Sequence, residues 1–229
     1  MTNILRHTAG VDGEVFAAHP EYVALIVFAE GIGNGPSDDD SSAVLDAAEQ
    51  HLRARGLTRP ADDPHVAAWR AAFSAFGAKP SKYPCSAEAL AARVLKGGTL
   101  PRVNVLVDLY NAVSVRTLTP VGGEDLDHLQ GALRLTIAAG DEAFDGPDGA
   151  PRPGEIVWRD DAGVTCRRWN WRQGVRTRLT DATTRAFFVF DRLPGLDESG
   201  LEDAAARLES LLKARWSRCT TRRIRLDRG

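Results

Sequence analysis

The stretch PRVNVLVDLYNAVSVRTLTPVGGEDLDHLQGALRLTIA, residues 101–138, is where helical periodicity gives way to β periodicity, and its reading decides the fold. Val103, Leu106, Val107, Tyr110 and Val113 recur at helical spacing, so a helix is expected over 101–118 despite its many valines. PVGGED reads as the turn that ends it. Asp125 then starts a short helical DLDHLQG as its N-cap, and ALRLTIA (132–138) reads as a strand.

Working outward towards the N-terminus, YVALIVFAEGI (22–32) is an apolar β-rich run ended by glycines, hence a buried strand. Helices are expected at 41–56, capped by Ser41 or Ser42, at 64–77 with Val66, Trp69, Phe73 and Phe76 on one face, and at 87–98 behind a Ser86 cap. Towards the C-terminus, strands are expected at 155–160, 163–171, 186–191 and 220–227, with an amphipathic helix at 199–216. The segment GDEAFDGPDGAPRPGE is turn-rich. The expected architecture is α+β, a mostly antiparallel sheet packed with helices. The chain divides into a helical part (1–100), a core (101–191) and a closing helix and strand (192–229).

Composition narrows the function classes. The chain has 229 residues, 43% hydrophobic and 26% charged, values ordinary for a globular protein. With 29 basic against 31 acidic residues, no uniformly cationic nucleic-acid coat exists, although a local basic patch is compatible. Cys85, Cys166 and Cys219 are too few and scattered for a disulfide framework or a zinc site, and the five histidines lack metal-ligand spacing. The opening MTNILRHTAGVDGEVF lacks a signal peptide's apolar core, and no apolar run suits a membrane span. The expectation is a cytoplasmic protein with no metal, cofactor or membrane partner; the sequence does not bear on oligomeric state.

GIGNG (31–35) lies between a strand and a helix, as a phosphate-binding loop would. Asp38, Asp39 and Asp40 follow where the helix begins and would repel a pyrophosphate, so a flexible capping loop is expected. GGEDL (122–126) resembles a cyclase signature only superficially; it reads as a turn or as a pocket wall. Asn104, Asp108, Asn111 and Ser114 share one helical face, and asparagines are poor fillers of exposed helix surface, which favours pocket lining. Asp108 is read as a structural partner of Arg116. In CRRWNWRQGVRT (166–177), strand alternation puts Arg167, Trp169 and Trp171 on one face and Cys166, Arg168, Asn170 and Arg172 on the other. A base-stacking surface and a core-anchored strand with a polar pocket face both fit that pattern. No GxSxG elbow or Cys–His signature supports a nucleophile.

Read together, V-D-x-x-N at 107–111, the P-V-x-x-x-D-L-D turn and T-D-x-T at 180–183 before an apolar strand resemble the B3/B4 domain. That is the editing domain of the β subunit of bacterial phenylalanyl-tRNA synthetases. FGAKPSKYPCSAEALAARVLKGGTLPRVN resembles the helical lead-in of free-standing B3/B4 proteins. The resemblance implies hydrolysis of the ester joining an amino acid to tRNA, with this chain as a trans-acting module and charged tRNA as its partner. It implies Asn111 as a pocket residue, and it puts Gly122 where the family has a histidine. RRWNWRQ replaces the segment that carries a substrate-reading glutamate, so the amino acid recognised is expected to differ. Gly122, Gly123, Asn111 and Glu124 become the implied catalytic set, with Asn104, Ser114, Arg168, Asn170 and Gln173 facing substrate. Glu124 is read as orienting water or gripping the substrate ammonium, or else as an outward-facing helix-capping carboxylate. Lys79, Lys82, Arg172, Arg176 and Arg178, with Arg222, Arg223 and Arg225, are candidates for tRNA phosphates. The rival reading is a non-catalytic tRNA- or amino-acid-binding module that has lost the editing chemistry.

Overall fold

A computed structural model describes residues 8–229; residues 1–7, with His7 and the start of the expected helical part, lie outside the described residues. In chain order the elements are β1 (Ala9–Val11), α1 (Gly13–Ala18), β2 (Val23–Glu30), α2 (Asp39–Ala54), α3 (Pro64–Ala75) and α4 (Ser86–Leu95). The second half supplies α5 (Val105–Thr117), β3 (Val121–Asp125), β4 (Leu133–Ile137), β5 (Ile156–Asp160), β6 (Gly163–Arg167), β7 (Arg172–Gln173), β8 (Arg185–Arg192), α6 (Glu198–Arg215) and β9 (Thr220–Leu226). The fold is α+β, as the periodicity implied.

Two sheets result, ordered β3-β8-β2-β9 and β1-β4-β5-β6-β7. Every pairing is antiparallel except the short parallel β1–β4 contact. β2 and β8 are apolar on both faces because both faces are covered. Ile26, Phe28, Phe187 and Val189 meet Leu133, Leu135, Ile156 and Trp158 of the other sheet, with Trp69 and Trp169 filling the end of that core. Leu25, Val27, Phe188 and Phe190 face α5 and α6 through Leu106, Leu109, Val113, Leu201 and Leu208. α2 and α4 cover the back of α5 through Leu45, Leu52 and Ala91.

Several boundaries differ from expectation for identifiable reasons. α2 starts earlier than Ser41, because Asp38 accepts from the Ser41 N–H (2.9 Å) while Ser41 Oγ reaches back to the Asp38 N–H. The N-cap is therefore Asp38, and Ser41 is its capping-box partner. The glycine loop before it is tied down: Asn34 bonds the Thr180 carbonyl and the Leu106 N–H, and Trp216 Nε1 bonds the Gly33 carbonyl. α5 begins at Val105, so Val103 precedes it and is 53% exposed. Leu118, left-handed at φ 53°, ends α5, and PVGGED continues as β3 paired with β8 instead of forming the turn. Asp125 does cap the following turn, accepting from the Asp127 N–H at 2.9 Å. Ser86 opens α4 as its first helical residue, with Cys85 at the cap position.

The largest departure lies at 163–171. β6 stops at Arg167, Arg168 and Trp169 take left-handed φ of 46° and 64°, and the chain returns as β7. Strand alternation fails there. Trp169 turns into the core against Trp69 and Tyr22, with ring centroids 5.0 and 4.8 Å away. Arg167 is buried and paired bidentately with buried Glu155 at 2.8 and 2.9 Å, and its remaining amine holds the Asp148 and Gly149 carbonyls. One guanidinium thereby anchors both the hairpin and the turn-rich segment before β5. Breaking a buried pair strands the surviving charge. Arg167→Ala is expected to lose about 3–5 kcal/mol of unfolding free energy in urea titration, and joint replacement of Arg167 and Glu155 by Met and Leu is expected to recover most of it.

Candidate functional site

A cavity of about 260 Å³ opens between the two sheets and the helices over them. α4 supplies Ser86, Ala89 and Leu90, and α5 supplies Tyr110 and Asn111. β3 contributes Val121, Gly122 and Glu124, and β8 contributes Val189 and Asp191. The opposite sheet closes it with Trp158, Cys166 and Gln173, and the left-handed hairpin turn adds Trp169, Asn170 and Trp171.

The two glycines of β3 behave differently. A Cβ on Gly122 would meet no atom within 4 Å, so this point of the wall is open. A Cβ on Gly123 would press the Phe188 ring at 2.8 Å and Leu179 at 3.0 Å. Gly123 is thus a packing glycine, and its carbonyl accepts from Gln173 Nε2 at 2.7 Å, which spans the cavity between the sheets.

Two carboxyls border the space, and burial dominates both. Glu124 is 5% exposed and its pKa rises from 4.5 to about 7, through desolvation that the hydroxyls of Thr177 and Thr165 only partly offset. Its Oε2 has no hydrogen-bond partner among the described residues. Asp191, 1% exposed, accepts from Tyr22 Oη (2.6 Å) and Asn170 Nδ2 (3.2 Å). Desolvation still lifts its pKa from 3.8 to about 6, because neutral donors do not replace lost water completely. Burial, with the Glu124 charge adding to it, also keeps the Cys166 thiol far from ionising. Among the described residues no group of three or more His, Cys, Asp or Glu side chains is arranged to hold a metal ion.

Of the residues expected to face substrate or catalyse, Asn111, Gly122, Glu124, Asn170 and Gln173 line this cavity. Asn104 and Ser114 do not. Asn104 caps α5 by accepting from the Val107 N–H and donates to the Leu179 carbonyl; Ser114 donates to the Thr119 carbonyl. Both ends of the polar stripe are consumed in holding α5. Asp108, buried, accepts from Ser41 Oγ and the Val103 N–H, and those two bonds take the place of the expected pairing with Arg116. Arg168 sits outside the cavity, its guanidinium stacked between Tyr83 (4.0 Å) and Trp171 (4.3 Å). Arg172 also lies over the Trp171 ring, at 4.7 Å, and Lys82 lies over Tyr83, so cations and rings alternate beside the cavity.

The other phosphate candidates divide. Lys79, Lys82, Arg172 and Arg178 are exposed. Arg176 is committed to buried Asp160 by two bonds (2.7 and 2.9 Å), so its charge is spent inside the fold. Arg223 and Arg225 pair with acidic residues of α6 and, for Arg225, with Asp227 after β9, and Arg222 stacks over Phe28. The reading of the sequence missed Asp191 and Tyr110. Asp191 ends the apolar run FFVFD and looked like a strand terminus; strand parity with Val189 was the available signal.

Residues 68–214 match the family model described as the B3/4 domain. No curated protein matches the chain. Among solved structures, the chain is similar to the crystal structure of an N-terminal fragment of the phenylalanyl-tRNA synthetase β-subunit from Pyrococcus horikoshii, at 12% identity and a TM-score of 0.52. That match covers 96% of this chain and 51% of the fragment, so the chain spans about half the length of that relative. At such identity the likeness establishes the fold.

A carboxyl with a raised folded pKa binds its proton more tightly folded than unfolded, so it costs stability as pH climbs above the unfolded value. For Asp191 the penalty sets in above 3.8 and is complete above about 6. Asp191→Asn keeps an acceptor for Tyr22 and cannot ionise. Relative to the parent, it is expected to gain up to about 3 kcal/mol in unfolding free energy between pH 4 and pH 7, read by denaturant titration across that range.

Proposed function

The chain belongs to the B3/4 domain family, and on that premise we propose that it is an aminoacyl-tRNA editing deacylase acting in trans. The observation that carries this reading is the cavity itself, where Asn111 of α5, Glu124 of β3, and Asn170 and Gln173 of the β6–β7 hairpin converge around the open wall at Gly122. Ester hydrolysis requires a positioned water and donors aimed at the developing oxyanion, and it needs no protein nucleophile. The Asn111 amide serves as such a donor. Glu124 holds the α-ammonium of the aminoacyl group, a cation that restores its ionised form. Gly123 acts through packing, keeping β3 tight against β8 while Gln173 fixes its carbonyl. The ribose 2′-hydroxyl beside the ester assists the water.

Lys79, Lys82, Arg172 and Arg178 are the exposed cations available to tRNA phosphates. So few contacts on a chain of net charge −2 predict weak, salt-sensitive binding. The reaction requires access to charged tRNA and hence a cytoplasmic location. Among the described residues no helix is long and apolar enough to cross a membrane.

One observation favours a second reading, a non-catalytic binding module: Gly122 stands where the family resemblance puts a histidine. Incubation with a panel of correctly and wrongly charged tRNAs separates the two. The expected result is release of amino acid from at least one tRNA, slowed about 10²-fold by Glu124→Gln or by Asn111→Ala. Release no faster than in buffer for every pair overturns the deacylase, and binding of uncharged tRNA without turnover then supports the module.

A further inference from the structure

The lining of the cavity carries two carboxyls and, among the described residues, no lysine, arginine or histidine. An interior lined this way repels phosphates and carboxylates and attracts cations. Its aromatic walls, Trp158 and Trp169, pack methylene chains, while the ring of Trp171 already carries the guanidiniums of Arg168 and Arg172. Arg176, whose guanidinium acts on Glu124, is already bonded to Asp160.

The two carboxyls serve different ends of the space. Glu124 pairs in register with Phe187 of β8, and Asp191 lies four residues further along that strand. At a strand rise of about 3.3 Å per residue, the two backbone positions are about 13 Å apart. A single ammonium cannot satisfy both. Each end also has an acceptor left open: Glu124 Oε2 at one and Asn170 Oδ1 at the other, both buried and without a partner among the described residues. Asp191 already receives two neutral donors, from Tyr22 and Asn170, so a ligand hydroxyl would add a third and still no positive charge. An ammonium brings the charge together with three donors, enough for Asp191 and the free Asn170 oxygen at once.

Resting on the deacylase reading for which ester group is bound, we infer that the aminoacyl group taken by this cavity is an α,ω-diamino acid of the lysine or ornithine class. Glu124 holds the α-ammonium, Asp191 with Asn170 reads the ammonium at the end of the side chain, and the tryptophans line the methylenes between. Asp191 is then the specificity-determining residue of the site.

Amides of single amino acids imitate the ester end without being consumed, so binding can be read apart from turnover. With the full chain, titration of L-lysinamide, L-ornithinamide, L-norleucinamide and L-phenylalaninamide by calorimetry or tryptophan fluorescence tests the assignment. One or both diamino amides are expected to bind at least tenfold tighter than norleucinamide. Asp191→Asn is expected to shrink that preference to within threefold while leaving norleucinamide affinity within threefold of the parent. Glu124→Gln is expected to weaken all four amides and preserve the ratio. Equal or tighter binding of norleucinamide or phenylalaninamide by the parent chain, or binding of none, overturns the inference without recourse to any variant. A diamino preference in a chain that releases nothing from any charged tRNA sinks the deacylase and leaves the cation pocket standing. Release of a neutral amino acid from tRNA, with lysyl- and ornithyl-tRNA untouched, does the reverse.

Discussion

The reversal of the chain at Arg168 and Trp169 is the constraint from which the site follows. Two consecutive non-glycine residues in the left-handed region are disfavoured, so the surroundings must hold them there. They do so from both sides. Arg167 is locked to Glu155 immediately before the turn, and Trp169 is sealed among Trp69, Tyr22 and His19 within it, its N–H bonded to the Ile156 carbonyl. Because the strand breaks there, Trp169 enters the core and Asn170 arrives beside Asp191. Had β6 continued straight, alternation would have sent Trp169 and Asn170 to opposite faces, and the cavity would lack a wall.

A second theme is the separation of charge. The basic residues of the hairpin are drawn off into stacks and ion pairs: Arg167 on Glu155, Arg168 between two rings, Arg176 on Asp160. None reaches Glu124 or Asp191 as a bonded partner, which is why desolvation governs those two carboxyls. Reading CRRWNWRQGVRT as one strand with one polar face misses this division of labour. Its four arginines hold structure or border the cavity, and its asparagine and glutamine line the cavity.

What the sequence made legible, and what it hid, divides by physical range. Periodicity located α3, α5, α6, β2, β5, β8 and β9 to within a few residues because each buries a long, regular face. β1 and α1 are too short to show a period. The stripe Asn104–Asn111–Ser114 was a true helical face, yet only its middle member borders the cavity, since its ends are taken up by carbonyls and N–H groups at the termini of α5. Periodicity places side chains on a face; it does not report which backbone groups wait at either end. Left-handed conformations at Arg168 and Trp169 left no trace either, because neither residue type signals a turn. Asp191 was hidden by its position after three aromatic residues, where a polar residue ordinarily marks a strand end.

The adjacent glycines of β3 have opposite tolerances, and that contrast bears on how the site can change over generations. Position 123 is closed by Phe188 and Leu179, so any side chain there disturbs the sheet and is purged as a folding defect. Position 122 faces open space, so side chains of several sizes fit it at little structural expense. Drift at that single codon alters the chemistry of the cavity wall while the scaffold stays neutral to it. Substrate range and foldability are thereby uncoupled at neighbouring residues, and a lineage can shift what the pocket admits without first acquiring a stabilising change elsewhere.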